Sequence, residues 1–209
     1  MSQAARWIHL GPVQAADLTA ACEGYTRAAS GRGVPLTLWG RAAEAMRLGD
    51  GVWVEPGEFA FAVLAPAHLA PGRRDRWLSW GLTPVVAAFR RFGAHAWLDG
   101  GEVRLHGARA ACGTARAFGG YAAVLGALVP DMPALDPEAP ASGALLRDQP
   151  WLEALNREGR ARRMLAAFRY SLEVQHGWQF DTAWPTQAEL EAIALAEDAA
   201  AQALESAPR

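Results

Sequence analysis

The residues with chemistry to offer cluster between Gly100 and Val129, in the stretch GGEVRLHGARAACGTARAFGGYAAVLGALV. Arg109 and Arg116 place two permanent cations in an otherwise small, apolar run, where each either meets solvent or faces an anionic ligand. Gly107 and Gly113 let a ligand or another backbone approach closely. Cys112 is one of only two cysteines. It would be a nucleophile if Arg109 or Arg116 faced the thiol and lowered its pKa. It packs as a small hydrophobe otherwise, which its small neighbours favour. His106 serves Cys112 as a base only if the strand bends, because six extended residues span roughly 20 Å. The five histidines, His9, His68, His95, His106 and His176, are scattered without metal-ligand spacing, so no metal is expected. No nucleophile elbow or phosphate-loop pattern occurs. Asp99 and Glu102 flank a turn and read as solvated. Cys22, on the first helix, reads as core.

The elements that must hold these residues follow from periodicity. Val103 and Leu105 alternate with polar neighbours as in a half-buried strand, and Gly119-Gly120 joins Ala108–Arg116 to Tyr121–Val129 as a hairpin. Upstream, Arg6–Leu10 is a strand stopped by Gly11-Pro12, and Val13–Arg27 a helix. Pro35–Trp39 is a strand, and Gly51–Ala65 reads as a hairpin turning at Pro56-Gly57. Pro66–Arg76 is a loop and Trp77–Phe92 a helix containing Pro84 and capped by Gly93. Ala94–Leu98 is a strand. Five prolines between Pro130 and Pro150 mark an extended connection. Trp151–His176 is helical, and Thr186-Gln187-Ala188-Glu189 is a capping box for an Ala-rich last helix reaching about Glu205. This predicts an α+β fold: residues 1–130 a core, 131–150 a proline-rich connection, 151–209 a helical C-terminal part of the same domain or a small lobe.

Composition bounds the function. A 51% hydrophobic and 20% charged chain of 209 residues has ample core for one domain. A formal net charge of −2 and a pI near 6.2 argue against nucleic-acid or membrane-surface partners. No signal peptide or membrane-spanning run is evident, so the cytoplasm is the expected compartment. Two cysteines exclude a disulfide framework.

The central stretch resembles the motif of the lipoate–protein ligase, octanoyltransferase and biotin ligase superfamily. That motif runs Gly, any residue, Lys, aliphatic, small, Gly, Ser or Thr, Ala. Gly107-Ala108-Arg109 and Cys112-Gly113-Thr114-Ala115 match its two ends. The opening Trp-containing strand, Gly-Pro turn and helix are also similar to the family, as are the Gly-Trp pair, the Pro-Thr cap and the last helix. The resemblance implies a mixed β-sheet packed with helices, of the biotin/lipoate-ligase catalytic-domain type. It implies transfer of a lipoyl or octanoyl group to a lipoyl domain, with an acyl carrier protein as possible donor, and lipoate or octanoate and ATP as substrates. Arg109 would replace the motif lysine, with Gly107, Gly113, Thr114, Ala115 and Arg116 lining the ligand and Cys112 a possible thiol. The sequence departs from the family in two respects. It contains no lysine: all 20 basic residues are arginine. Counted back from Gly113 the lysine's place is Ala110; counted forward from Gly107 it is Arg109. The arginine pair and glycine-rich loop that close over the ligand are also missing between Leu48 and Phe59. The alternative is a non-catalytic relative that binds an acyl group or a lipoylation partner.

Overall fold

The structure is a computed structural model that describes residues 2–29, 33–49, 51–105, 107–129 and 157–205. Ten strands and four α-helices are described. The strands are β1 (Gln3–Val13), β2 (Leu36–Ala42), β3 (Met46–Arg47), β4 (Trp53–Val54), β5 (Phe59–Pro66), β6 (Ala96–Asp99), β7 (Glu102–Leu105), β8 (Ala108–Phe118), β9 (Tyr121–Leu128) and β10 (Trp178–Thr182). The helices are α1 (Ala15–Ala28), α2 (Trp77–Arg90), α3 (Arg157–His176) and α4 (Gln187–Glu205).

Eight strands form one mixed sheet in the order β10-β1-β2-β5-β9-β8-β7-β6. The β10–β1 and β1–β2 pairings are parallel and the others antiparallel. This is the mixed α+β class expected from the sequence. β5 and β9 are buried at every position, which is why FAFAVLAP and YAAVLGAL read as unbroken apolar runs. On one face, α2 and α3 bury Leu82, Val85, Phe89, Met164 and Phe168 against Phe61 and Val124. On the other, α1 buries Leu18, Cys22 and Tyr25 against Ile8, Leu38 and Leu125. The β3–β4 ribbon covers the same face further along through Met46, Leu48, Val52 and Val54.

Two sequence expectations are corrected. β1 does not stop at Gly11-Pro12. It bulges between His9 and Pro12, with Gly11 at φ +79°, and then resumes pairing with β2 through Pro12 and Val13. A bulge is where a strand tolerates proline's missing N–H. Residues 51–65 are not a hairpin either. β4 turns back onto β3, while β5 pairs with β2 and β9. With both faces apolar, β5 belongs in the sheet's interior, and Gly57 at φ +87° swings the chain there.

The C-terminal elements return to β1. Gln3 N–H donates to the Gly177 carbonyl at 2.8 Å, and Arg6 pairs with Glu189 of α4. The Thr186–Glu189 capping box is present in both directions, at 2.7 and 3.3 Å. The proline-rich 131–150 connection, His106 and the 151–156 start of the expected helix lie outside the described residues.

Candidate functional site

The sequence candidates fall on β8 and its turns. Gly107, at φ +88°, makes the turn from β7 into β8. Val103 faces Ala111 while Arg104 faces Arg109, so Ala110 is an extra residue and β8 bulges there. The bulge puts Ala110 and Ala111 together in the core under α2 and leaves Arg109 on the face of Cys112.

Arg109 is engaged through both terminal nitrogens. Its Nη1 donates to the Trp53 carbonyl at 2.8 Å, and its Nη2 to Glu58 Oε1 at 3.1 Å. Glu58 is 8% exposed, at the head of β5. Its other partner is the Glu55 backbone N–H, which donates to Oε2 at 3.0 Å. The guanidinium also lies 3.5 Å from Cys112 Sγ. Cys112 is nevertheless no activated thiol. Burial pushes its pKa up, and the nearby Arg109 cation only partly opposes this. It packs beneath the β3–β4 ribbon, its Sγ 3.8 Å from the Trp53 carbonyl. Cys22 is more deeply buried and its pKa is also raised.

The other candidates do not converge on Arg109. Gly113 donates its N–H to Gly101 at 2.8 Å and pairs with Gly126 in the ladder. A Cβ on Gly113 would lie 3.1 Å from the Leu125 carbonyl, so its bareness serves strand packing. Ala115 packs into the α2 side. Thr114, half-buried, pairs with Leu125. Arg116, seven residues and roughly 20 Å along the strand, leans on Gly49 and lines a cavity of about 260 Å³ with Thr19, Glu23 and Arg47. Among the described residues, no three His, Cys, Asp or Glu side chains gather as a metal site.

No family model and no curated protein matches the chain. Solved structures do. A bipartite lipoate protein ligase from Thermoplasma acidophilum superposes with a TM-score of 0.67 over 94% of this chain and 92% of that one, at 13% identity. A lipoate-protein ligase A bound with ATP gives 0.60 over 95% of each chain at 12% identity. A biotin protein ligase from Leishmania major, in complex with biotinyl-5-AMP, gives 0.51 over 94% and 82% at 12%. The chain has the lipoate- and biotin-ligase fold.

Set in that fold, the two ways of counting to the motif lysine separate. Ala110 is 0% exposed in the α2-side core, whereas Arg109 reaches the opposite face. A β3–β4 ribbon occupies the segment where the sequence suggests that the closing loop is missing. Gly49 and Gly51, at φ +71° and +77°, bend it. Sequence reasoning passed over this ribbon and over Glu58. Both left signals: two glycines bracketing Asp50, and one acidic residue heading an apolar strand.

Proposed function

We propose that this chain is a lipoate-ligase-like protein that recognises a lipoylation partner, such as a lipoyl domain, without itself transferring an acyl group. The observation that carries this reading is the engagement of Arg109, which stands at the motif lysine's place counted from Gly107, by Glu58 and the Trp53 carbonyl. An acyl-adenylate would have to displace Glu58 from the guanidinium, leaving a buried carboxylate without its cation. Met46, Leu48, Val52 and Val54 already pack on this face of the motif strand. The motif's other chemistry is spent as well: Cys112 is held protonated by burial, and the Gly113 N–H is bonded. The described residues therefore do not fit lipoate, octanoate or ATP at Arg109.

The test is the intact mass of an apo lipoyl domain incubated with the protein, either with lipoate and ATP or with octanoyl acyl carrier protein, beside a working ligase as control. No mass gain, together with measurable binding of the lipoyl domain, is expected. A lipoyl or octanoyl increment that disappears in Arg109→Ala would overturn the proposal and establish the transferase reading. Absence of any lipoyl-domain binding would refute the partner assignment.

A further inference from the structure

A second cavity lies away from Arg109, beside α1. It measures about 510 Å³ and opens between the end of β1, α1 and the start of α4. Its walls are Leu10 and Val13 from β1, Ala21 from α1, and Leu190 and Ile193 from α4. His9, Leu10 and Pro12, which border the β1 bulge, also line the cavity. Trp184 stands at the rim, 83% exposed, and Leu190 is 47% exposed. Apolar area of this kind kept in water at a concavity marks a binding site more often than a packing fault.

The polar groups say what would bind. Among the described residues, the acids lining the cavity are Asp17, in the first turn of α1, and Glu197 on α4, and no arginine lines it. Asp17 Oδ2 accepts the Gln14 N–H at 2.9 Å, which leaves its charge unneutralised. No ion pair to Glu197 occurs among the described residues. His9, the remaining titratable group, stacks on Trp39 at 4.1 Å, and burial lowers its pKa, so it adds no cation near neutrality. Two carboxylates beside an exposed indole are a cation-selective arrangement, since the ring face also attracts ammonium groups. We propose that this cleft binds a small molecule with an apolar body and a positively charged amine. A cavity of about 510 Å³ exceeds what one lysine stem would fill, which favours a free ligand over a partner's side chain. The carboxylates repel fatty or lipoic acids, so the site is separate in chemistry as well as position from the motif strand.

The experiment is titration of the full chain with octylamine, octanol and octanoate, followed by amide NMR shifts of α1 and α4 and by calorimetry. Octylamine should bind most tightly, weaken with added salt, and shift residues around Asp17, Leu190 and Glu197. The double variant Asp17→Asn, Glu197→Gln should weaken octylamine about fivefold while leaving octanol unchanged. Leu190→Trp, at an exposed position, should block both by filling the cleft. Octanoate binding as well as octylamine would overturn the charge argument, and a lysine-rich peptide binding more tightly than octylamine would replace the small molecule with a protein partner. Octylamine shifts confined to other parts of the chain would remove the site.

Discussion

Arg109 illustrates how far residue identity carries a functional reading. Its type and position on a small-residue strand mark it as a candidate for an anion, and the anion it meets is the chain's own Glu58 at 3.1 Å. The partner lies 51 residues away, and nothing in the local spacing announces it. If the pair is structural, Arg109→Ala strands a carboxylate that is 10% exposed and should cost about 1–3 kcal/mol by urea denaturation. Glu58→Gln in the same background should recover part of that loss, whereas Arg116→Ala should lie within about 0.5 kcal/mol of the parent. Equal stability of Arg109→Ala and the parent would mean that the cation is held for a ligand instead. His176 gives a second test. Its ring lies between Trp80 and Trp178, with centroids 4.8 and 4.7 Å away, and burial lowers its pKa to about 4. The unfolded chain, with a histidine pKa near 6.5, therefore binds the proton first. This contribution is intact above about pH 6.5 and is lost as the pH falls towards 4, on the order of 3 kcal/mol in all. Glu189 loses stability at still lower pH. Burial opposes its charge, but the Arg6 hydrogen bond and the Thr186 backbone bond outweigh that and lower its pKa below the usual carboxylate value. Denaturation curves of His176→Gln should lack the slope between pH 6.5 and 4. If the slope persists, another group is responsible.

At the scale of elements, the sequence was most legible where one pattern had one physical solution. The β8–β9 hairpin announced itself through Gly119-Gly120 and two apolar runs, and α4 through its capping box. It was least legible where a long-range preference overrode a local one. Pro56-Gly57 reads as a hairpin turn, yet β5 leaves β4 for the sheet's interior because both its faces need burial. Gly11-Pro12 reads as a stop, yet parallel pairing with β2 resumes beyond the bulge. The register of β8 was undecidable from counting because a bulge adds Ala110 between the two halves of the motif. Close packing adds a constraint that sequence does not display. A Cβ on Gly126 of β9 would lie 2.4 Å from the Cys112 carbonyl and 2.6 Å from Phe61 Cζ. The first contact is backbone and cannot rotate away. Gly126→Ala should therefore destabilise the chain by about 2–3 kcal/mol, although alanine is otherwise the milder residue in a strand. Gly100→Ala is a control with open space around its Cβ and only the strain of φ +59°. If thermal melts show it to be the worse of the two, the packing argument for β8–β9 fails.

For the whole molecule, the sequence left open whether residues 151–209 pack with the core or stand apart, because the contacts that decide it join opposite ends of the chain. The first strand supplies them. β10 runs parallel to β1 from Gln3–Trp178 to Trp7–Thr182, and Ala183 N–H donates to the Trp7 carbonyl at 3.2 Å. Trp7 meets Phe168 of α3 edge-on at 6.1 Å and Phe180 of β10 at 5.4 Å. Arg6, on the same strand, pairs with Glu189 of α4 and lies 5.6 Å from the centre of the Tyr25 ring on α1. Ala161, Met164, Phe168, Trp178 and Phe180 share one core cluster with α2 and the sheet, and we propose that they melt with it. We therefore expect a single transition in which indole fluorescence, helix signal and slow amide exchange of β5 and β9 are lost together. Thr186→Ala sharpens the test, since it removes the cap of α4 alone and costs about 1 kcal/mol. In one cooperative unit that loss appears at the β5 and β9 amides, far from the cap, with the same magnitude as at α4. In a molecule with an autonomous C-terminal lobe, only α4 exchange would quicken and the sheet amides would keep the parent's protection.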